Sequence, residues 1–207
     1  MKNFDNSFLT DEIIYVAGTD EAGRGPLAGP VVAAAVLFDK NCFIEGINDS
    51  KKLSEKKREE LFDSIRENAI AYSVSIVGHE EIDSINILQA SLKAMKTACE
   101  ALSVRPSLVL VDGNKSFSSS LRNIPVIKGD SKSFAVAAAS ILAKVTRDRI
   151  MYELAEEYPQ YNWKKNKGYP TAEHIEALRI NGPCRYHRKT FLRKIIFQND
   201  MFNEKYG

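Results

Sequence analysis

Residues 13–38 read IIYVAGTDEAGRGPLAGPVVAAAVLF. Ile13 to Thr19 and Val31 to Phe38 are apolar runs of strand length, and the Gly/Pro-rich span between them reads as the turn that joins two strands. Directly behind the first run stand Asp20 and Glu21. In α/β proteins ligand sites gather where strands end and loops begin, so this acidic pair marks the place to look for chemistry.

Outward from that stretch, Ser54 is expected to cap a helix running to about Asn68, with Leu61, Phe62 and Ile65 turned inward. Ile70 to Val77 reads as a third strand. Asp83 or Ser84 should open a helix along which Leu88, Leu92, Met95, Cys99 and Leu102 share one face, ending before Pro106. Ser107 to Val111 reads as a buried strand and Ile124 to Lys128 as a shorter one. The longest helix is expected from near Ser131 to about Tyr158, with Phe134, Ala138, Ile141 and Val145 on one face. Helical pieces should follow, packed on the body. This order gives an α/β fold in which helices cover a mixed five-stranded sheet. The expected organisation is one catalytic domain over residues 1–207, with a core to about 158 and a basic helical segment over about 159–207.

With 207 residues, 44% hydrophobic and 27% charged, the composition is that of a soluble globular protein. No run is long and apolar enough for a bilayer, and Met1 to Asp5 shows no signal-peptide core, so an unexported, cytoplasmic protein is expected. Cys42, Cys99 and Cys184 lack CxxC spacing, and His79, His174 and His187 lack zinc spacing, which argues against a disulfide framework and structural zinc. Net charge is only +2, but Lys164 to Lys194 holds nine Lys or Arg against two Glu, leaving the rest of the chain net acidic. Such a tail suits a polyanion footprint beside a cation site, and equally a solvated charged face.

Acids recur at strand ends. Asp112 follows the fourth strand in LVLVDG, and Asp130 stands between the fifth strand and the longest helix. Taken singly, each of these acids serves as well as a cap or turn former, Asp130 in particular as an N-cap. Converged, Asp20, Glu21, Asp112 and Asp130 would repel one another and favour hard cations with oxygen ligands, Mg²⁺ or Mn²⁺. Two such ions can activate water and stabilise both oxygens of an in-line phosphoryl displacement. Gly23-Arg24-Gly25 reads either as part of a tight hairpin or as backbone open to a ligand. Asp49-Ser50-Lys51-Lys52-Leu53 reads as a phosphate seat or a solvated cap. Asp148, beside Arg147 and Arg149, competes as a fourth carboxylate but reads as a surface or structural ion-pair acid.

The motif TDEAGRGPLAGPV over residues 19–31 resembles the opening motif of bacterial ribonuclease HII. The likeness continues through Asp49 to Leu53, Ile82-Asp83, Asn86 to Ala90, Val111 to Asn114, Gly129-Asp130 and Ala137 to Asp148. It ends with Gly168 to Thr171, His174, Gly182-Pro183 and His187-Arg188. The resemblance implies a ribonuclease H-like fold with a C-terminal helical extension. It implies endonucleolytic cleavage of the RNA strand of RNA–DNA hybrids and 5′ of single ribonucleotides in duplex DNA, leaving 5′-phosphate and 3′-hydroxyl ends, as in ribonucleotide excision repair. By the same likeness Asp20, Glu21, Asp112 and Asp130 would bind metal, and Gly23, Arg24 and Gly25 would hold the ribose 2′-hydroxyl. Tyr169 would stack on the sugar, while Ser50, Lys51 and Lys144 would contact phosphate. The sister family, ribonuclease HIII, normally carries an added N-terminal domain, which is not expected here with 19 residues before Asp20. A monomer is expected, since no coiled coil or exposed apolar stripe is visible.

Overall fold

The computed structural model describes residues 1–48 and 50–193. The expectations placed on Asp49 and on the segment from Lys194 onward lie outside them. Strands β1 (Val16–Ala22), β2 (Val31–Leu37), β3 (Ala71–Val77), β4 (Leu108–Asp112) and β5 (Asn123–Val126) form one sheet in the order β3-β2-β1-β4-β5. The β3-β2-β1 half is antiparallel and the β1-β4-β5 half is parallel. The mixed five-stranded sheet flanked by helices is therefore as the sequence implies.

Two helices cover the two faces. Along the strands one set of alternate residues, Ala17, Ala33, Ala35, Val109 and Val111, packs against Ala90, Ala94, Met95 and Ala98 of helix α4 (Ile87–Glu100). The other set meets the long helix α6 (Phe134–Glu157): Ala34 and Val36 pack on Ala138 and Ile141, and Leu108 and Leu110 on Val136. The small residues of α6 let it lie close to the sheet. Gly18 marks the tightest point, where an added Cβ would come within 2.2 Å of the Val136 backbone nitrogen. Helix α2 (Glu55–Asn68), capped by Ser54 as expected, packs Leu61, Phe62 and Ile65 into the α6 layer.

Several boundaries differ from expectation. Continued pairing with β2 carries β1 through Ala22, so Asp20 and Glu21 lie inside the strand opposite Ala34 and Ala33. Asp112 is likewise the last residue of β4. The helix expected from Asp83 or Ser84 is two: α3 (His79–Ile85), then α4, capped by Asn86, whose side chain accepts from the amides of Leu88 and Gln89. Asp83 instead accepts from the amides of Lys189 and Thr190 and so fastens the C-terminal segment. The longest helix is preceded by a separate turn, α5 (Gly129–Lys132), and Ser133 caps α6. Helix α1 (Lys2–Asn6), which the sequence did not announce, sends the Asp5 carboxylate to the Ala135 amide at 2.9 Å. Beyond α6, a 3₁₀ turn (Pro159–Tyr161), α7 (Trp163–Asn166) and α8 (Ala172–Asn181) pack around Trp163, which is fully buried against Tyr161 and Met151. Among the described residues no helix is long and apolar enough to cross a membrane.

Candidate active site

The register of β1 on β4 pairs Thr19 with Val111, so Asp20 and Asp112 are the next residues of neighbouring parallel strands. Paired residues project to the same face, and adjacent strands lie roughly 5 Å apart. Both carboxylates thus project on the α6 side, continuing the rows Val16-Gly18 and Leu108-Leu110. Asp130 approaches from α5 and is buried. One contact ties the two elements: the Gly129 amide donates to Asp112 Oδ1 at 2.7 Å.

The acids lie near enough to feel one another's charge. Burial pushes Asp20 well above the usual carboxylate range, and the charges of Glu21, Asp112 and Asp130 add to it, opposed by the Glu21 amide donating at 2.7 Å. Glu21 is raised by burial and by Asp112, while Arg24, 3.3 Å away, pulls it down. Asp112 is raised by burial and then by Asp130, against the amides of Gly129 and Asp130 and the charge of Lys51. Lys51 also stands 3.6 Å from Asp130. Among the described residues neither Asp20 nor Asp112 is sealed in an arginine pair, and no three His, Cys, Asp or Glu side chains close into a ready-made metal cage. The site is an electrostatic cluster rather than a finished coordination sphere.

Around it lie the other residues singled out above. Gly23 takes φ +102°, and an added Cβ there would strike Arg147 Nε at 2.2 Å, so this glycine is required by a side chain packed behind it. Arg24 and Gly25 are exposed, and the Tyr169 ring lies 3.4 Å from where a Gly25 Cβ would be. Ser50 is buried in a 3₁₀ turn, its carbonyl accepting from Arg58. Lys144 bonds Asp148 at 2.7 Å. Of the two readings of Asp148, surface or structural ion-pair acid, the structure shows the structural one: it is buried and its partner is Lys144, while Arg149 pairs with Glu59.

The basic run is less free than its composition suggests. Lys165 pairs with Glu173, Arg179 with Glu176 and Arg185 with Glu157. Arg188 is fully buried. Its role, and that of a buried aromatic–histidine cluster, went unread in the sequence. The carbonyl of Tyr169 can only accept, so His174 Nδ1, 2.9 Å away, carries the proton. His174 Nε2 then accepts from Trp163 Nε1 at 3.0 Å and from His187 Nε2 at 3.1 Å, while His187 Nδ1 accepts from the Cys184 amide. The network is satisfied with both rings neutral. Burial lowers His174, and burial with the facing His174 pushes His187 down to about 4.

A family model described as Ribonuclease HII matches residues 17–199 of this chain. A ribonuclease HII of Caldanaerobacter subterraneus subsp. tengcongensis is 53% identical over 196 residues, covering 95% of this chain and 81% of that protein. One from Clostridioides difficile is 52% identical over 193 residues, covering 93% and 76% respectively. Among solved structures, the ribonuclease H2 of Pyrococcus horikoshii matches with a TM-score of 0.72 at 32% identity, covering 87% of this chain and 96% of that one.

Proposed function

This chain belongs to the ribonuclease HII family, and from that premise we propose that it cuts the RNA strand of RNA–DNA hybrids and the 5′ side of single ribonucleotides in duplex DNA. The products would carry 5′-phosphate and 3′-hydroxyl ends, and the whole chain would act as one catalytic domain, as a monomer in the cytoplasm. The observation that carries this reading is the placing of Asp20 and Asp112 at matched positions of β1 and β4, with Glu21 and Asp130 close enough to raise their proton affinity.

Buried and half-buried carboxylates that repel one another, with only Glu21 paired to an arginine, fit a hard divalent cation, Mg²⁺ or Mn²⁺. Asp20, Glu21, Asp112 and Asp130 would hold it. When bound as a pair, such ions lower the pKa of the attacking water and neutralise charge on the leaving 3′-oxygen. The chain's own residues do the rest. Gly129 fixes the rotamer of Asp112 through its amide, and Arg24 steadies Glu21. Lys51 lies beside Asp130, where its ammonium meets an incoming phosphate. The Arg24 and Gly25 amides open to solvent next to Tyr169, which offers its ring to a sugar, and a 2′-hydroxyl held there separates RNA from DNA. Lys144 keeps N–H donors beyond the one given to Asp148, and with Ser50 completes the phosphate contacts.

Incubation with duplex DNA bearing one ribonucleotide, with Mg²⁺ or Mn²⁺ and end-group mapping, tests this directly. Cleavage 5′ of the ribonucleotide that stops in EDTA is expected. Binding without cleavage would instead leave a hybrid-binding module, and full activity in chelator would end the metal assignment.

A further inference from the structure

Arg147 and Arg188 are 1% and 0% exposed, and both spend their donors on main-chain carbonyls. Arg188 reaches Gly29 O through Nε at 3.0 Å and Arg24 O through Nη1 at 3.1 Å. Its Nη2 bridges Gly23 O at 2.7 Å and Pro30 O at 3.1 Å. Arg147 adds Pro30 O at 3.0 Å, Ala28 O at 3.2 Å and, across to the C-terminal segment, Lys167 O at 3.0 Å. Two adjacent cations therefore grip the loop between β1 and β2 from behind. Burial and the facing charge of Arg147 push Arg188 down to about 9, which still leaves it protonated at neutral pH.

The grip has a geometric consequence. No peptide bond here is cis, and in a trans peptide the carbonyl and the following N–H point in opposite directions. With the Gly23 carbonyl turned in to Arg188, the Arg24 amide turns out. With the Arg24 carbonyl turned in, the Gly25 amide turns out as well. Both residues are exposed, and among the described residues neither amide has a protein acceptor. Two consecutive free donors thus sit beside the Tyr169 ring, a concavity of N–H groups suited to an oxygen acceptor.

We propose that Arg188, backed by Arg147, is a positioning residue for ribose recognition: its fork aims the Arg24 and Gly25 amides at the 2′-hydroxyl and so sets the preference for a ribonucleotide over a deoxyribonucleotide. This rests on the functional reading above. A lysine keeps the charge but cannot hold several carbonyls at fixed angles, so it should release the loop.

The test compares the wild type with Arg188→Lys, Arg188→Gln and Arg147→Lys, all as full chains with melting curves recorded. Each is titrated by fluorescence anisotropy in EDTA against two duplexes of one sequence, one all-DNA and one with a single ribonucleotide, and assayed for cleavage with Mg²⁺. The ratio of the two affinities is independent of how much protein is folded, so a merely structural role leaves it unmoved. For Arg188→Lys the ratio should fall about tenfold, the size of one hydrogen bond to a well-aimed donor, with all-DNA affinity unchanged. KM on the single-ribonucleotide substrate should rise more than kcat falls. Where the Arg188 variants do not fold, Arg147→Lys carries the same expectation through Pro30 and Ala28. A folded variant with the wild-type ratio overturns the inference, as does an equal loss on both duplexes, which would mean that the amides hold phosphate. A wild type that neither cuts nor prefers the ribonucleotide fails at the functional reading, and the inference falls with it.

Discussion

Asp20 is buried beside three other carboxylates, so its charge costs the fold stability when nothing neutralises it. Asp20→Asn should therefore raise the melting temperature in EDTA, by a gain of about 1 kcal/mol, the usual size when a strained functional group is relieved. The same change should lower cleavage by more than about a hundredfold, beyond what loss of a ligand's outer partner costs. Mg²⁺ or Mn²⁺ should stabilise the wild type and leave the variant unmoved; a variant as active as wild type would remove Asp20 from the site. Asp130 and Asp148 are separated in the same way. Asp148→Asn strands the ammonium of Lys144 and should cost stability while cleavage survives, and Asp130→Asn should do the reverse. His187 gives a pH prediction of definite sign. Its folded pKa, about 4, lies below its ordinary 6.5, so the unfolded chain binds the extra proton first. Stability contributed by the neutral ring is present above about pH 6.5 and is lost as pH falls toward 4, up to about 3 kcal/mol at 1.36 kcal/mol per unit. Urea unfolding at pH 7 and pH 5 should show the loss in wild type and a smaller one in His187→Gln. Equal slopes for the two proteins would rule the ring out.

Helix α6 and strand β1 meet at Gly18, and the obstacle to any side chain there is backbone. Gly18→Ala cannot be absorbed by a rotamer change, so it should cost about 3 kcal/mol or more, the upper range for overpacking, and displace the strand that carries Asp20. A melting curve within a degree of wild type would contradict this. The same contact shows what a sequence makes legible. The long apolar period of α6 and the buried runs of β1, β2 and β4 announce themselves, because two helices covering a sheet demand those patterns. Acids at the ends of β1 and β4 could likewise be read, since strand polarity puts them at one edge. The split at Ser133 and the break at Asn86, with its φ of +67°, could not, because single-residue breaks depend on what the loop must reach. Nor could α1, which at five residues is too short to announce itself and whose Asp5 meets the open amide of Ala135. Arg147 and Arg188 were hidden for a different reason. Each sits in a run of charged residues that reads as solvated surface, and only the fold shows that it reaches carbonyls of residues 23–30, more than a hundred positions away.

Across the whole molecule, the surplus of positive charge between Lys164 and Lys194 overstates the surface available to a polyanion. Lys165, Arg179 and Arg185 are already paired with glutamates, and Arg188 is sealed inside, so among the described residues of that run Lys164, Lys167, Lys189 and Arg193 remain. Lys167 is itself drawn over the Tyr152 ring at 4.0 Å. Duplex affinity falls with salt in proportion to the phosphates neutralised, each contributing about 0.9 to the log–log slope. Lys189 is exposed and follows Arg188 directly, at the point where Asp83 fastens the segment beside the loop between β1 and β2. Lys189→Ala should therefore reduce the slope by about 1 and weaken ribonucleotide-containing and all-DNA duplexes alike. Arg185→Ala, which breaks a pair with Glu157 on the molecule's own surface, should leave the slope unchanged. Anisotropy titrations from about 50 to 200 mM salt resolve a difference of that size. Equal slopes for the two variants would mean that the ion pairs open on binding and that composition, rather than geometry, governs the footprint. A drop confined to Lys189→Ala places the nucleic acid across the same loop whose amides Arg188 turns outward, which joins the long-range field to the single hydroxyl it must find.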